Sequence, residues 1–141
     1  MQVDFYQLGR SPLPRVLARI AERILADGGR LLIVAGSEAQ AADLDAALWE
    51  GPDSFLPHGR EGADQPVLIG LECTAANQAR HIALADQRWR DEALAFDRAF
   101  HFFDADTLEA ARAAWRALGA RPEISRNYWS QDEAGRWRKT A

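Results

Sequence analysis

Residues 31–50 read LLIVAGSEAQAADLDAALWE. Residues 31–35 are an unbroken apolar run, the pattern of a short strand covered on both faces. Gly36-Ser37 then turns the chain. Residues 38–50 follow with helical spacing, Ala41, Leu44, Ala47 and Leu48 on one face and Glu38, Asp43 and Asp45 on the other. A buried strand that passes directly into an amphipathic helix is half of a strand–helix repeat, and the upstream sequence supplies the other half. Residues 3–8 are short, apolar-rich and end at Gly9, as a strand does. Pro12 and Pro14 stand where a helix begins, with Ser11 as its candidate cap. From Leu13 to Ala26, the residues Leu13, Val16, Leu17, Ile20, Ile24 and Leu25 recur on one face, with Arg15, Arg19, Glu22 and Arg23 opposite. Gly28-Gly29 ends that helix, because glycine tolerates left-handed backbone. The order strand–helix–strand–helix predicts an α/β fold with a mainly parallel sheet and right-handed crossovers.

Downstream, residues 51–65 read as a loop with an apolar centre at Phe55-Leu56-Pro57, and residues 67–71 as a third strand. Residues 77–95 predict an irregular helix carrying Ile82, Leu84, Trp89 and Leu94. Phe100, Phe102 and Phe103 mark a fourth strand. Thr107 is the candidate cap of a last helix, with Leu108, Ala111, Trp115 and Leu118 in one stripe and Gly119 at its end. Residues beyond it, through Tyr128, Trp129 and Trp137, show no clear period. The expectation is one domain over residues 1–141, with 126–141 as a mobile tail.

The chain has 141 residues and a formal charge of −4, an average of two unlike regions. Residues 112–141 hold seven basic and three acidic side chains and three of the five tryptophans, so that segment is +4 and the remainder −8. The acidic remainder argues against a protein that coats nucleic acid, which works by neutralising phosphate. Cys73 is the one cysteine, so no internal disulfide forms, as suits a reducing cytoplasm. The opening MQVDFYQLGR lacks the basic and apolar regions of a signal peptide. No apolar run approaches the roughly 20 residues of a membrane helix.

Several chemistries lack their residues. The strand–helix turns LGRSPLP and VAGSEAQ contain neither G-x-G-x-x-G nor a phosphate loop, and Glu38 would repel an anion at its helix start, so no nucleotide site is expected. His58, His81, His101 and Cys73 are scattered without metal-ligand spacing. Ser37 sits in a strand–helix turn but lacks the G-x-S-x-G of a nucleophile elbow. Nothing near Cys73 in sequence activates its thiol. Asp104 and Asp106 read as loop and cap residues. The sequence therefore leans away from an enzyme and points to no cofactor. A small hydrolase or transferase on an α/β scaffold ranks last, for want of a nucleophile.

Two constellations remain. Trp49 at a helix end, followed by Phe55, Leu56, Pro57 and His58, either folds back onto the core or offers an aromatic anchor to a partner. In the last helix Arg112 and Arg116 are four apart and share a face, Trp115 neighbours both, and Tyr128 returns from the tail. A basic rim beside an apolar notch suits an acidic peptide with an aromatic residue. It also suits single-stranded nucleic acid, through stacking and phosphate contacts.

The segments FYQL, LDAALWE, SFLPH, PVLIGLE, AANQA, FDRAFHFFD, AARAAWRALGA and YWSQDEAGRW, in that order, resemble the chi subunit of bacterial DNA polymerase III. The resemblance runs from Val3 to the end. It implies a Rossmann-like three-layer sandwich without a nucleotide site, in a non-catalytic member of the clamp-loader assembly. It further implies two protein partners: the psi subunit, and the acidic, phenylalanine-ended C-terminal peptide of single-stranded DNA-binding protein. By position the peptide site falls on Arg112, Trp115, Arg116 and Tyr128. The psi surface falls on Trp49, Phe55, Leu56, Pro57 and His58. Nucleic acid would then be met mainly through the protein bound to it, and no membrane is involved. Direct binding of single strands by the C-terminal patch is the alternative.

Overall fold

The computed structural model describes residues 1–50 and 56–141. Among them, β1 (Gln2–Gln7), β2 (Leu31–Val34), β3 (Val67–Gly70), β4 (His81–Leu84), β5 (Arg98–Phe103), β6 (Ser125–Gln131) and β7 (Trp137–Lys139) form one sheet in the order β3-β2-β4-β5-β1-β6-β7. Every neighbouring pair is parallel except β6–β7. Helices α1 (Leu13–Ala26) and α2 (Glu38–Trp49) pack on one face, and α3 (Leu108–Gly119) packs on the other. The result is the expected α/β architecture, a mainly parallel sheet flanked by helices. All four residues of β2 are buried, as its unbroken apolar run requires. The aromatic run of β5 divides by strand alternation: Phe100 and Phe102 enter the core under α1 and α2, and Phe103 the core under α3.

Two stretches differ from the sequence expectation. Residues 77–95 are not a helix. They hold β4, a loop and a 3₁₀ turn at Asp91–Ala95. Ile82 and Leu84 are two apart, a strand step, and Gln78 and Gln87 adopt left-handed backbone (φ 60° and 62°) that no α-helix admits. Asn77 ahead of β4 is fully buried, its amide donating to the carbonyls of Leu31 (3.2 Å) and Gln65 (3.0 Å). The second stretch is 126–141, expected as a tail. It forms β6 and β7: β6 runs parallel to β1 from Gln2↔Ser125 to Tyr6↔Trp129, and β7 folds back on it. Both faces of β6 are half-buried, so no apolar–polar alternation marks it in sequence.

The expected caps also differ. Neither helix receives a side-chain cap from Ser11 or Thr107. The Ser11 hydroxyl accepts from Gln131 at 3.0 Å, and that of Thr107 accepts from the Asp104 amide at 2.9 Å. Each is used to fix a loop.

His101 on β5 is buried, packed edge-on against Phe5 (5.2 Å) and Trp89 (5.7 Å), with Nδ1 unpartnered among the described residues. Burial pushes its pKa down to about 4, against a weaker opposing pull from Asp86. The folded state therefore keeps His101 neutral where the unfolded chain takes up a proton. Stability is expected to fall as pH drops from about 6.5 to about 4, by up to about 3 kcal/mol. His81, whose pKa burial also lowers, adds to the loss in the same direction. Urea unfolding across this range should show a flatter pH dependence for His101→Leu; an unchanged slope would refute the assignment.

Candidate functional site

The apolar stripe of α3 faces the sheet, burying Ala111 and Leu118 and leaving Arg112 and Arg116 exposed one turn apart. Trp115 lies half-buried between these faces, its ring edge-on to Phe5 at 5.2 Å. Tyr128 arrives from β6, which lies beside β1 in the sheet. Its ring sits 5.5 Å from Phe103 and 6.1 Å from Trp115. Its hydroxyl donates to Gln7 at 2.7 Å. Burial pushes the Tyr128 pKa up, and the charge of Arg112 pulls against it. Among Phe5, Phe103, Leu108, Ala111, Trp115 and Tyr128 lies an apolar cavity of about 140 Å³, with Arg112 at its edge. The structure thus brings Arg112, Trp115 and Tyr128 of the expected peptide site to one cavity, with Arg116 exposed one turn along α3 from Arg112.

The two arginines are not equivalent. Arg112 is paired with Glu109 at 3.1 Å, one turn earlier. Arg116 makes no ion pair among the described residues. A third arginine, counted in sequence only for its charge, organises the site from β6. The guanidinium of Arg126 lies 4.2 Å over the Trp115 ring and donates to the Trp115 carbonyl at 2.6 Å. A Cβ at position 119 would stand 2.7 Å from Arg126 Nη1, so glycine there leaves room for this stack. Phe5 and Phe103 are cavity walls that sequence did not assign to the site. They lie nearly a hundred residues apart, and only the β1–β5 pairing joins them.

The other expected surface divides in two. Trp49 closes α2 and is 49% exposed, and Pro57 is exposed beyond it. Leu56 and His58 are buried. His58 Nδ1 lies 2.7 Å from the Leu56 carbonyl, and Nε2 lies 3.0 Å from the Asp45 carbonyl and 3.2 Å from its carboxylate. The Trp49 ring packs on the His58 ring at 4.1 Å. His58 therefore supports Trp49 from within. Phe55, expected beside them, lies outside the described residues.

The crevice at the carboxyl ends of β2 and β4, where α/β folds usually hold ligands, is filled by side chains. Ser37 Oγ accepts from the Gln40 amide as the cap of α2, and the Gly36 amide donates to Gln40 Oε1 at 2.7 Å. Asp86 packs so closely on Gly36 that a Cβ there would lie 2.7 Å from its oxygen. Both Asp86 oxygens accept from Arg90 at 2.8 Å. Burial works to raise the Asp86 pKa, but the hydrogen bonds and charge of Arg90 outweigh it and hold the carboxyl below its usual range.

Fold and site together define a Rossmann-like α/β sandwich whose strand-end crevice holds its own ion pair and whose last helix carries a basic, aromatic surface. A family model described as DNA polymerase III chi subunit, HolC, matches residues 1–122, and the chain belongs to that family. Arg112, Trp115 and Arg116 fall within the matched residues. The chain is also 36% identical over 76 residues to DNA polymerase III subunit chi of Pseudomonas aeruginosa, a match covering 50% of this chain and 54% of that protein. The chain thus spans about half the length of the curated relative it matches. No described helix is long and apolar enough to cross a membrane.

Proposed function

We propose that this chain is a non-catalytic accessory subunit of DNA polymerase III that works as an adaptor at the cytoplasmic replisome. It links the clamp loader, through psi, to the acidic C-terminal peptide of single-stranded DNA-binding protein. The observation that carries the reading is the apolar cavity under Trp115 and Tyr128, with Arg112 at its edge and Arg116 one turn along. A terminal phenylalanine fits the cavity, and the peptide's carboxylates face the arginines. Exposed ion pairs contribute ~0.2–1 kcal/mol each, whereas a seated aromatic ring contributes about 2 kcal/mol or more. The seated ring therefore supplies the larger share of the contact and the arginines the smaller. The surface offered to psi comprises Trp49, Phe55 and Pro57, with Leu56 and His58 buried behind Trp49 and Pro57.

Calorimetric titration with the tail peptide, with and without its terminal phenylalanine, tests the reading. Exchange of both Arg112 and Arg116 for alanine is expected to weaken the peptide about fivefold, and added salt should shrink the difference. The same double variant should still retain psi in a pull-down, because the psi surface lies at the end of α2. Equal peptide affinity in wild type and the double variant would sink the site assignment.

A further inference from the structure

A second basic and aromatic surface lies on the opposite face of the sheet. There α1 and α2 cover the strands toward β3, and no described helix covers β6 and β7. Between α1 and those strands runs an open groove of about 790 Å³. Its floor is aromatic: Tyr6 and Phe100 from the inner strands, Trp129 from β6 and Trp137 from β7. The Tyr6 and Trp129 rings are nearly parallel (11°) with centroids 6.1 Å apart, and Trp137 meets Tyr6 edge-on at 5.1 Å. Arg98 covers Phe100 at 4.7 Å.

The wall of the groove is α1. Arg15, Arg19 and Arg23 follow at four-residue intervals and so form one exposed ridge, with a step of about 6 Å along the axis. None of the three makes an ion pair among the described residues. Lys139 stands opposite Trp129 in the β6–β7 ladder and so shares its face. The acidic groups here are Glu22 on α1, Asp27 just past its end and Asp4 beneath the floor. Asp4 is fully buried and already committed to Arg98 at 2.6 Å. The Tyr6 pKa is pushed up to about 12 by burial, then by Asp4, so its hydroxyl brings no negative charge. The groove is therefore net positive, although residues 1–111 as a whole are −8.

We propose that this groove binds single-stranded nucleic acid, with bases laid on the Tyr6–Trp129–Trp137 floor and the backbone along the Arg15–Arg19–Arg23 ridge. The observations favour this over a peptide. The groove is large and lined by polar as well as apolar side chains, whereas the cavity under Trp115 is small and almost wholly apolar, the size of a single side chain. The near-parallel Tyr6 and Trp129 rings, with Trp137 standing across them, offer aromatic surface that stacks on bases regardless of sequence, and the arginines beside them meet phosphate. The proposal adds a direct contact with the strand to the adaptor reading, on a different face and with different residues.

Fluorescence anisotropy of a labelled oligothymidylate with the full chain is the test. Wild type is expected to bind at low salt, with log K falling against log salt at a slope of about −2 if three phosphates are neutralised. Changing both Arg19 and Arg23 to glutamine should weaken binding about tenfold and reduce the slope to about −0.7. Both positions are exposed, so the melting temperature should hold; Arg23→Gln alone serves if it does not. Trp137→Ala should weaken binding about fivefold or more, through lost stacking. The Arg112/Arg116 double variant should bind the oligonucleotide as wild type does. The proposal is overturned if wild type fails to bind at low salt, or if binding is lost with Arg112 and Arg116 and kept without Arg19 and Arg23. Either result leaves the calorimetric test of the tail peptide to stand or fall by itself.

Discussion

Asp4→Ala is expected to lower the stability of this chain by about 3 kcal/mol, the lower end of the range for stripping one partner from a buried ion pair. Asp4 is fully buried on β1, and its carboxylate is the meeting point of three strands. Oδ2 accepts from Arg98 on β5 at 2.6 Å. Oδ1 accepts from Asn127 at 2.8 Å and from the Trp129 indole at 3.3 Å, both on β6. Gln2 donates to both oxygens at 3.1 and 3.2 Å. Alanine removes every acceptor at once and leaves three kinds of donor without one, which costs more than the bonds themselves contribute. The Arg98 side chain is 34% exposed, so water recovers part of its loss, and this sets the estimate at the lower end. Urea denaturation at neutral pH should show the loss with little change in slope. Asp4→Asn keeps an acceptor and surrenders the charge, so it should fall between alanine and wild type. A cost below about 1 kcal/mol for alanine would show that the strands hold without this junction.

That junction also shows what the sequence conceals. Asp4 stands between Val3 and Phe5, which point to the core under α3, so alternation alone assigns it to a solvent face. The face is instead closed by Arg98, Asn127 and Trp129, which come from residues some 90 to 125 positions away. The same blindness hid β6. Each of its faces mixes polar and aromatic side chains, Asn127 and Trp129 on one and Arg126 and Tyr128 on the other, so no period distinguishes it from a loop. The strand–helix repeat of β1 to α2 was legible because α1 and α2 each bury one apolar face at helical spacing and β2 is an unbroken apolar run buried on both faces. Within the candidate site, Arg112, Trp115 and Arg116 were legible for a related reason, since one helix turn brings them together whatever the rest of the chain does. The cavity beside them was not, because its walls come from β1, β5 and β6 as well as α3. The stacking of Arg126 on Trp115 depends on the β6 register and on the missing Cβ at Gly119, neither of which has a local signature.

Ala111→Leu separates the two components of the proposed peptide contact and should have the larger effect on it. Ala111 is buried and lines the cavity under Trp115 and Tyr128, facing Phe5 and Phe103 across it. A leucine there occupies space in the cavity of about 140 Å³ and leaves every arginine in place. If the peptide's terminal phenylalanine is seated there, the substitution should cost about 2 kcal/mol of binding, or about thirtyfold, against about fivefold for the arginine pair. Overpacking would show separately, as a lower melting temperature worth about 1–3 kcal/mol, and Ala111→Val offers a milder fill of the same space. The decisive measurement is a double cycle by calorimetry. Removing the phenylalanine from the peptide and adding the leucine to the protein abolish the same contact, so each alone should cost the same and the two together no more than either. Costs that simply add would place the phenylalanine outside this cavity. The arginines would then be left as the whole of the site, and their exposed ion pairs, at ~0.2–1 kcal/mol each, are too weak to hold the peptide by themselves.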